Sequence, residues 1–117
     1  MHIFGDTTNN LEAMADTGVD NISLDNMVDI SVAREKIGDR VMLMGNVQPI
    51  DVLLLGNPDK VESAVKECYR KGWGSPKGFM ICTGCDTPMW TPFENSEAYM
   101  AAARKCAKYP VNPEVFN

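Results

Sequence analysis

Four times along the chain a short apolar run stops at a polar turn, and a helix-patterned stretch follows. Parallel neighbours in a sheet cannot be joined by a tight hairpin, so this alternation predicts a parallel sheet with helical crossovers. The last copy is the clearest. Gly78-Phe79-Met80-Ile81 reads as a buried strand ending at Thr83-Gly84. Thr91 then stands as an N-cap, Pro92 at the first helical position and Glu94 as the acidic member of a capping box. Before it, Ile3-Phe4 is a strand end, followed by a helix carrying Leu11, Met14 and Ala15 that Gly18 closes. Asn21 to Asp25 is the next strand, and Asp29 caps a helix through Val32, Ala33 and Lys36 to Gly38. Arg40 to Met44 is the third strand. Asn57-Pro58 opens the helix after it, with Val61, Ala64, Val65 and Cys68 on one apolar stripe. The final helix shows the same spacing at Tyr99, Ala102, Ala103 and Cys106. The expected fold is therefore α/β, four consecutive βα units with right-handed crossovers, in one domain over residues 1–117.

Four such units do not close a barrel, and 117 residues fall well short of the ~250 of a closed eight-stranded one. Val41-Met42-Leu43-Met44 is apolar on both faces, so each face needs cover. An open half-barrel would leave one face and two edges bare. The expectation is a homo-oligomer or the C-terminal half of a longer enzyme whose N-terminal half is missing. A small open sheet covered by its own helices is the alternative.

Composition narrows the function. A net charge of −5 with no basic cluster argues against nucleic acid, whose phosphates must be neutralised by Lys and Arg. No apolar run approaches the ~20 residues needed to span a bilayer, and no secretory leader is visible, so no membrane role is expected. Two of the four cysteines, Cys68 and Cys106, fall on helical stripes and read as core rather than disulfide partners, which suits a cytoplasmic setting.

Cys82 and Cys85 lie where a parallel strand ends, the position at which α/β folds bind ligands. Their C-x-x-C spacing can bring two thiolates to one zinc, although Cys82 also fits as a small core hydrophobe. Asp6, Asp25 and Asn46 are polar groups at other strand ends. For Asp25 the plain reading is a turn cap, and for Asn46 a bond to its own loop. Trp90, on the same loop face, would flank a flat ligand or a partner. Trp73 precedes its strand and reads as structural.

These strand-end pieces resemble the uroporphyrinogen decarboxylase superfamily, in particular its cobalamin-dependent methyltransferase branch. The matching segments are His2-Ile3-Phe4-Gly5-Asp6-Thr7, Ile22-Ser23-Leu24-Asp25, Met44-Gly45-Asn46-Val47-Gln48-Pro49 and Thr83-Gly84-Cys85-Asp86 with Thr91-Pro92-Phe93-Glu94-Asn95. They occur in family order over nearly the whole chain. The resemblance implies the C-terminal half of a TIM (β/α)8 barrel with a pocket at the strand C-termini. It also implies methyl transfer from a methyl-corrinoid, carried by a corrinoid protein, to a small-molecule acceptor. In relatives that use coenzyme M, zinc held by a His-x-Cys pair and a last-strand Cys binds the acceptor thiol. His2 and Cys85 match two of those ligands, while Phe4 stands where the first cysteine should be.

That departure leaves three readings. Cys82 supplies the missing sulfur to a zinc site with His2 and Cys85; or the acceptor is tetrahydrofolate, with Asp6, Asp25 and Asn46 as polar pocket residues; or the site is degenerate and the chain is an inactive truncated paralogue acting through assembly. Porphyrin decarboxylation is the alternative activity. It needs carboxylate-binding groups, and its enzymes usually carry histidine where Cys85 stands. Their key aspartate lies in the half not represented here. Gln48 stands where both branches usually have an acidic residue. Cys85 and Asp25 with Asp6 are the catalytic candidates, Asn46 and Trp90 the substrate-binding ones, and His2, Cys82 and Cys85 the metal set.

Overall fold

The structure, a computed structural model, describes residues 1–117. Three short strands form a parallel sheet in the order β1-β2-β3: β1 Asn21–Ser23, β2 Met42–Met44 and β3 Phe79–Met80. Asn21, Ile22 and Ser23 pair with Met42, Leu43 and Met44, and the last two pair onward with Phe79 and Met80. Four strands were expected, the first only a short strand end at Ile3-Phe4. Where the first should run there is only one bridge, His2 to Ser23, because Gly5 turns the chain away with φ +85° three residues later. The N-terminal amine and carbonyl of Met1 bond to Asn21 and Ser23, fixing that short edge beside β1. A second bridge, Val47 to Thr83, extends the β2–β3 pairing past the strand ends.

Four helices connect or follow the strands: α1 Leu11–Asp16, α2 Ile30–Ile37, α3 Pro58–Gly72 and α4 Phe93–Cys106. The local signals place most of their ends. Asp29 accepts from the amides of Ser31 and Val32, and Asn57 accepts from that of Lys60 with Pro58 behind it. Gly18 takes a left-handed φ of +81° just past α1, where a Cβ would be strained. The start of α4 differs from expectation. Pro92, at ψ 136°, is itself the N-cap, and no side chain caps the helix. Thr91 thus sits one position too early for its hydroxyl to reach the helical amides, and that oxygen is buried without a partner.

Neighbouring strands follow chain order, so right-handed crossovers put every helix on one face of the sheet. Side chains alternate across a strand. The row Ile22, Leu43 and Phe79 therefore points at the helices: the first two are fully buried, and Phe79 lies edge-on to Tyr69 of α3. Gly72 of α3 lets that helix approach, since a Cβ there would fall 2.4 Å from the Phe79 ring. The row Ser23, Met44 and Met80, with His2 beside it, points the other way. Nothing in the chain covers this second face; Met80 is 45 % exposed. The molecule is accordingly thin, 18 Å along its shortest axis. Cys68 and Cys106 are buried in the helix-side core, as their stripes predict.

Candidate functional site

The open face of the sheet carries a cavity of about 350 Å³ at the C-terminal ends of the strands. His2, Ser23, Met44 and Cys82 come to it through strand register; Phe4, Thr83, Cys85 and Asp86 come from the loops beyond. A hollow of about 640 Å³ between α2 and α3 is larger, but it is a shallow trough among Arg34, Glu35, Asp39, Arg70 and Lys71 with no apolar wall. Ligand pockets are mostly apolar with a few placed polar groups, a description that fits the smaller cavity.

His2 is the most constrained group there. Its Nδ1 lies 3.0 Å from the Ser23 carbonyl oxygen and 3.1 Å from the Ser23 hydroxyl. A carbonyl can only accept, so Nδ1 carries a ring proton. Nε2 is buried and has no hydrogen-bond partner. The ring of Phe4 packs edge-on against His2, centroids 5.0 Å apart, and forms an apolar wall beside it.

Cys82 and Cys85 are free thiols, both half-buried. Burial pushes the Cys82 thiol up, and a contact to the Ser23 hydroxyl at 3.9 Å pulls it back in part. The loop between the two cysteines is pinned by three bonds. The Val47 amide donates to Cys82, the Gly84 amide donates to Val47, and the Thr83 hydroxyl donates to the Cys85 carbonyl. Gly84 also lies so close to β1's loop that a Cβ would stand 2.6 Å from the Asn26 amide nitrogen. The thiols are thus placed by a backbone that has little room to shift.

The remaining candidates sit elsewhere. Asp25 is buried, and its carboxylate accepts from the amides of Gly5 and Met27, both at 2.9 Å, so it ties the His2 segment to the end of β1. Asn46 bonds the neighbouring loop rather than its own: its Nδ2 donates to the carbonyls of Asp25 and Val28 at 2.8 and 2.7 Å. It faces a separate hollow with Val28, Gln48 and Cys68. Asp6 is exposed, its carboxyl held below the usual range by the hydroxyl and then the amide of Thr8. Trp90 is 82 % exposed on the loop before α4, outside the cavity lining. Gln48 caps the wide helical turn Pro49–Leu54 through the Asp51 amide.

Four residues of the cavity are not among the sequence candidates: Ser23, Met44, Thr83 and Asp86. For Ser23 the alternation around Ile22-Ser23-Leu24-Asp25 was the available signal. A serine between two buried aliphatics must face away from the core. As for the zinc set, His2, Cys82 and Cys85 line one cavity, yet no three His, Cys, Asp or Glu side chains come together closely enough to hold a metal ion. The donor set expected from the resemblance is not assembled.

Comparison with known proteins places this geometry. The sequence pattern of the uroporphyrinogen decarboxylase (URO-D) family matches residues 1–106. The methylcobamide:CoM methyltransferase MtbA of Methanosarcina mazei is 36% identical over 104 residues, covering 89% of this chain and 29% of that protein. The uroporphyrinogen decarboxylase of Coxiella burnetii is also 36% identical, over 94 residues, 80% of this chain and 25% of the relative. A solved structure of a methyltransferase from Methanosarcina mazei superposes with a TM-score of 0.74 at 33% identity, covering 87% of this chain and 29% of that one. The chain thus spans less than a third of the length of the relatives it matches. Strand-end motifs, sheet order and sequence similarity agree: the chain belongs to the uroporphyrinogen decarboxylase (URO-D) family.

Proposed function

We propose that this chain forms the acceptor side of a corrinoid-dependent methyltransferase, with the cavity on the open sheet face holding the methyl acceptor. The observation that carries the reading is the His2 Nε2 atom, buried, unpartnered and beside a cavity that also holds two thiols. A methyl acceptor must present a free electron pair to carbon. A thiol acceptor would pass its proton to Nε2 of His2 and attack as thiolate; a tetrahydrofolate nitrogen would lean on the same group for proton management. The corrinoid supplies an electrophilic methyl group. With a methyl-corrinoid bound, the donor would keep the electron pair of its bond to the methyl carbon while the acceptor supplies the new one, and this chain's part would be to hold the acceptor and take up its proton. Phe4 and Met44 line the same cavity and give it an apolar side next to His2. Because the zinc donor set does not fit, no step is assigned to a metal.

Relatives named as methyltransferases and as uroporphyrinogen decarboxylases match to similar extents, so similarity alone does not separate the two chemistries. The lining does. Binding porphyrin carboxylates calls for cations, and the cavity offers no Lys or Arg while Asp86 adds negative charge. The uncovered face we read as the inner wall of a half-barrel, closed by a second copy of the chain or by an N-terminal half.

The test sets the two activities side by side. Protein is incubated with methylcobalamin and either a thiol or tetrahydrofolate, and separately with uroporphyrinogen. Loss of methylcobalamin that depends on an acceptor and on His2 supports the reading. Release of carboxyl groups from uroporphyrinogen without methyl transfer overturns it.

A further inference from the structure

We propose that Ser23 is the positioning residue of this site, joining His2 to Cys82 through one hydroxyl. The inference deepens the functional reading and rests on it, since His2 can take a proton at Nε2 only while its own proton stays on Nδ1. Register brings the three together. His2 is bridged to Ser23, so their side chains share a face, and Cys82 follows Met80 by two residues on that same face. Nδ1 stands 3.0 Å from the Ser23 carbonyl and 3.1 Å from its Oγ, and Oγ stands 3.9 Å from Sγ of Cys82.

The direction of each bond then follows from donor chemistry. A hydroxyl has one proton and two lone pairs. The Nδ1–H is shared between the Ser23 carbonyl and Oγ, so Oγ acts as an acceptor toward His2. Its own proton is left for Cys82, the only other group within bonding reach. The chain runs from His2 to Ser23 to Cys82. It leaves Nε2 without a partner and holds the Cys82 sulfur against the wall of the sheet. Without the hydroxyl, the carbonyl alone would hold the ring proton, and the imidazole would sample the opposite tautomer more often.

His2 is the chain's single histidine, so its tautomer can be read directly by two-dimensional nitrogen NMR on the chelator-treated protein. Spectra are taken from about pH 7 to 9, and the tautomer ratio is read where the ring shifts no longer change with pH. Wild type is expected to be predominantly Nδ1–H. Ser23→Ala should lower the ratio of Nδ1–H to Nε2–H by roughly fivefold, the effect of losing one ordinary hydrogen bond. Ser23→Thr, which keeps the hydroxyl and suits a strand, should restore it. A wild-type ring that is predominantly Nε2–H overturns the proposal, whether or not Ser23→Ala folds. Identical ratios in wild type and Ser23→Ala overturn the role of the hydroxyl. Neither readout needs activity, so absent methyl transfer would count against the functional reading alone and leave Ser23 to be judged by the tautomer.

Discussion

Asn46 offers a quantitative check on how the strand-end loops are held. Its Nδ2 donates to two backbone carbonyls, Asp25 at 2.8 Å and Val28 at 2.7 Å, and its Oδ1 receives the Cys68 thiol at 3.9 Å. Both acceptor residues are buried, so few other donors can reach their carbonyls once the amide is gone. Asn46→Ala removes two neutral hydrogen bonds worth about 1 kcal/mol each, a total of about 2 kcal/mol. That is a large part of a stability that is typically 5–15 kcal/mol. For a chain of this length it corresponds to a fall in Tm of about 8 °C. Asn46→Asp keeps the shape but turns an oxygen toward two carbonyl oxygens, and should cost more, about 3 kcal/mol. Thermal and urea unfolding followed by far-UV circular dichroism give both numbers. A change of less than about 0.5 kcal/mol in both variants, the size of an ordinary surface substitution, would refute the claim that this amide staples the β1 and β2 loops.

Three further outcomes follow from the same structure. Asp29→Ala removes the cap of α2 along with a partly exposed pair to Lys71, and should cost about 1 kcal/mol; Asp29→Asn keeps the cap and should cost at most a few tenths, both read by urea unfolding. Burial raises the thiols of Cys68, Cys82 and Cys106 and the phenols of Tyr69 and Tyr99. The folded state therefore binds these protons more tightly than the unfolded one, so stability is intact below the ordinary thiol pKa of about 8.5 and falls as pH rises beyond it, measurable as a declining urea midpoint between about pH 8 and 10. The bare sheet face requires a cover, so sedimentation velocity of the chain alone should show a dimer; a monodisperse monomer at micromolar concentration would rule out pairing of two copies.

Local rules carried the reading where the physics is local. The caps at Asp29 and Asn57 and the left-handed Gly18 each depend on a few neighbouring residues, and all three stand where the sequence puts them. Thr91 is not the cap because a threonine followed by proline fits two frames one residue apart, and the helix starts in the later one, with Pro92 as N-cap. The missing first strand has a similar origin: Ile3-Phe4 has the residue types of a strand, but Gly5 bends the chain after a single bridge.

The site was legible in its residue types and less so in its pairings. His2, Cys82 and Cys85 were picked out by motif and spacing, and they line one cavity. Asn46 was read as bonding its own loop, yet its partners lie 18 and 21 residues away, a distance no local pattern encodes. Ser23 was passed over because its partners come through register, across the sheet to His2 and over β2 to Cys82. Nothing local in the sequence pairs Phe4 with His2, and the structure sets its ring edge-on against the imidazole.

Central to the account is that His2 works through a bare Nε2 rather than through a metal. The most direct test is zinc content per chain, by mass spectrometry on reduced, chelator-rinsed protein after re-exposure to zinc, beside a Cys85→Ser control. The account predicts no stoichiometric zinc in either sample. One zinc per chain that disappears in the control would contradict it, showing that Cys85 and its neighbours gather around a metal despite Phe4 and that the acceptor is activated there.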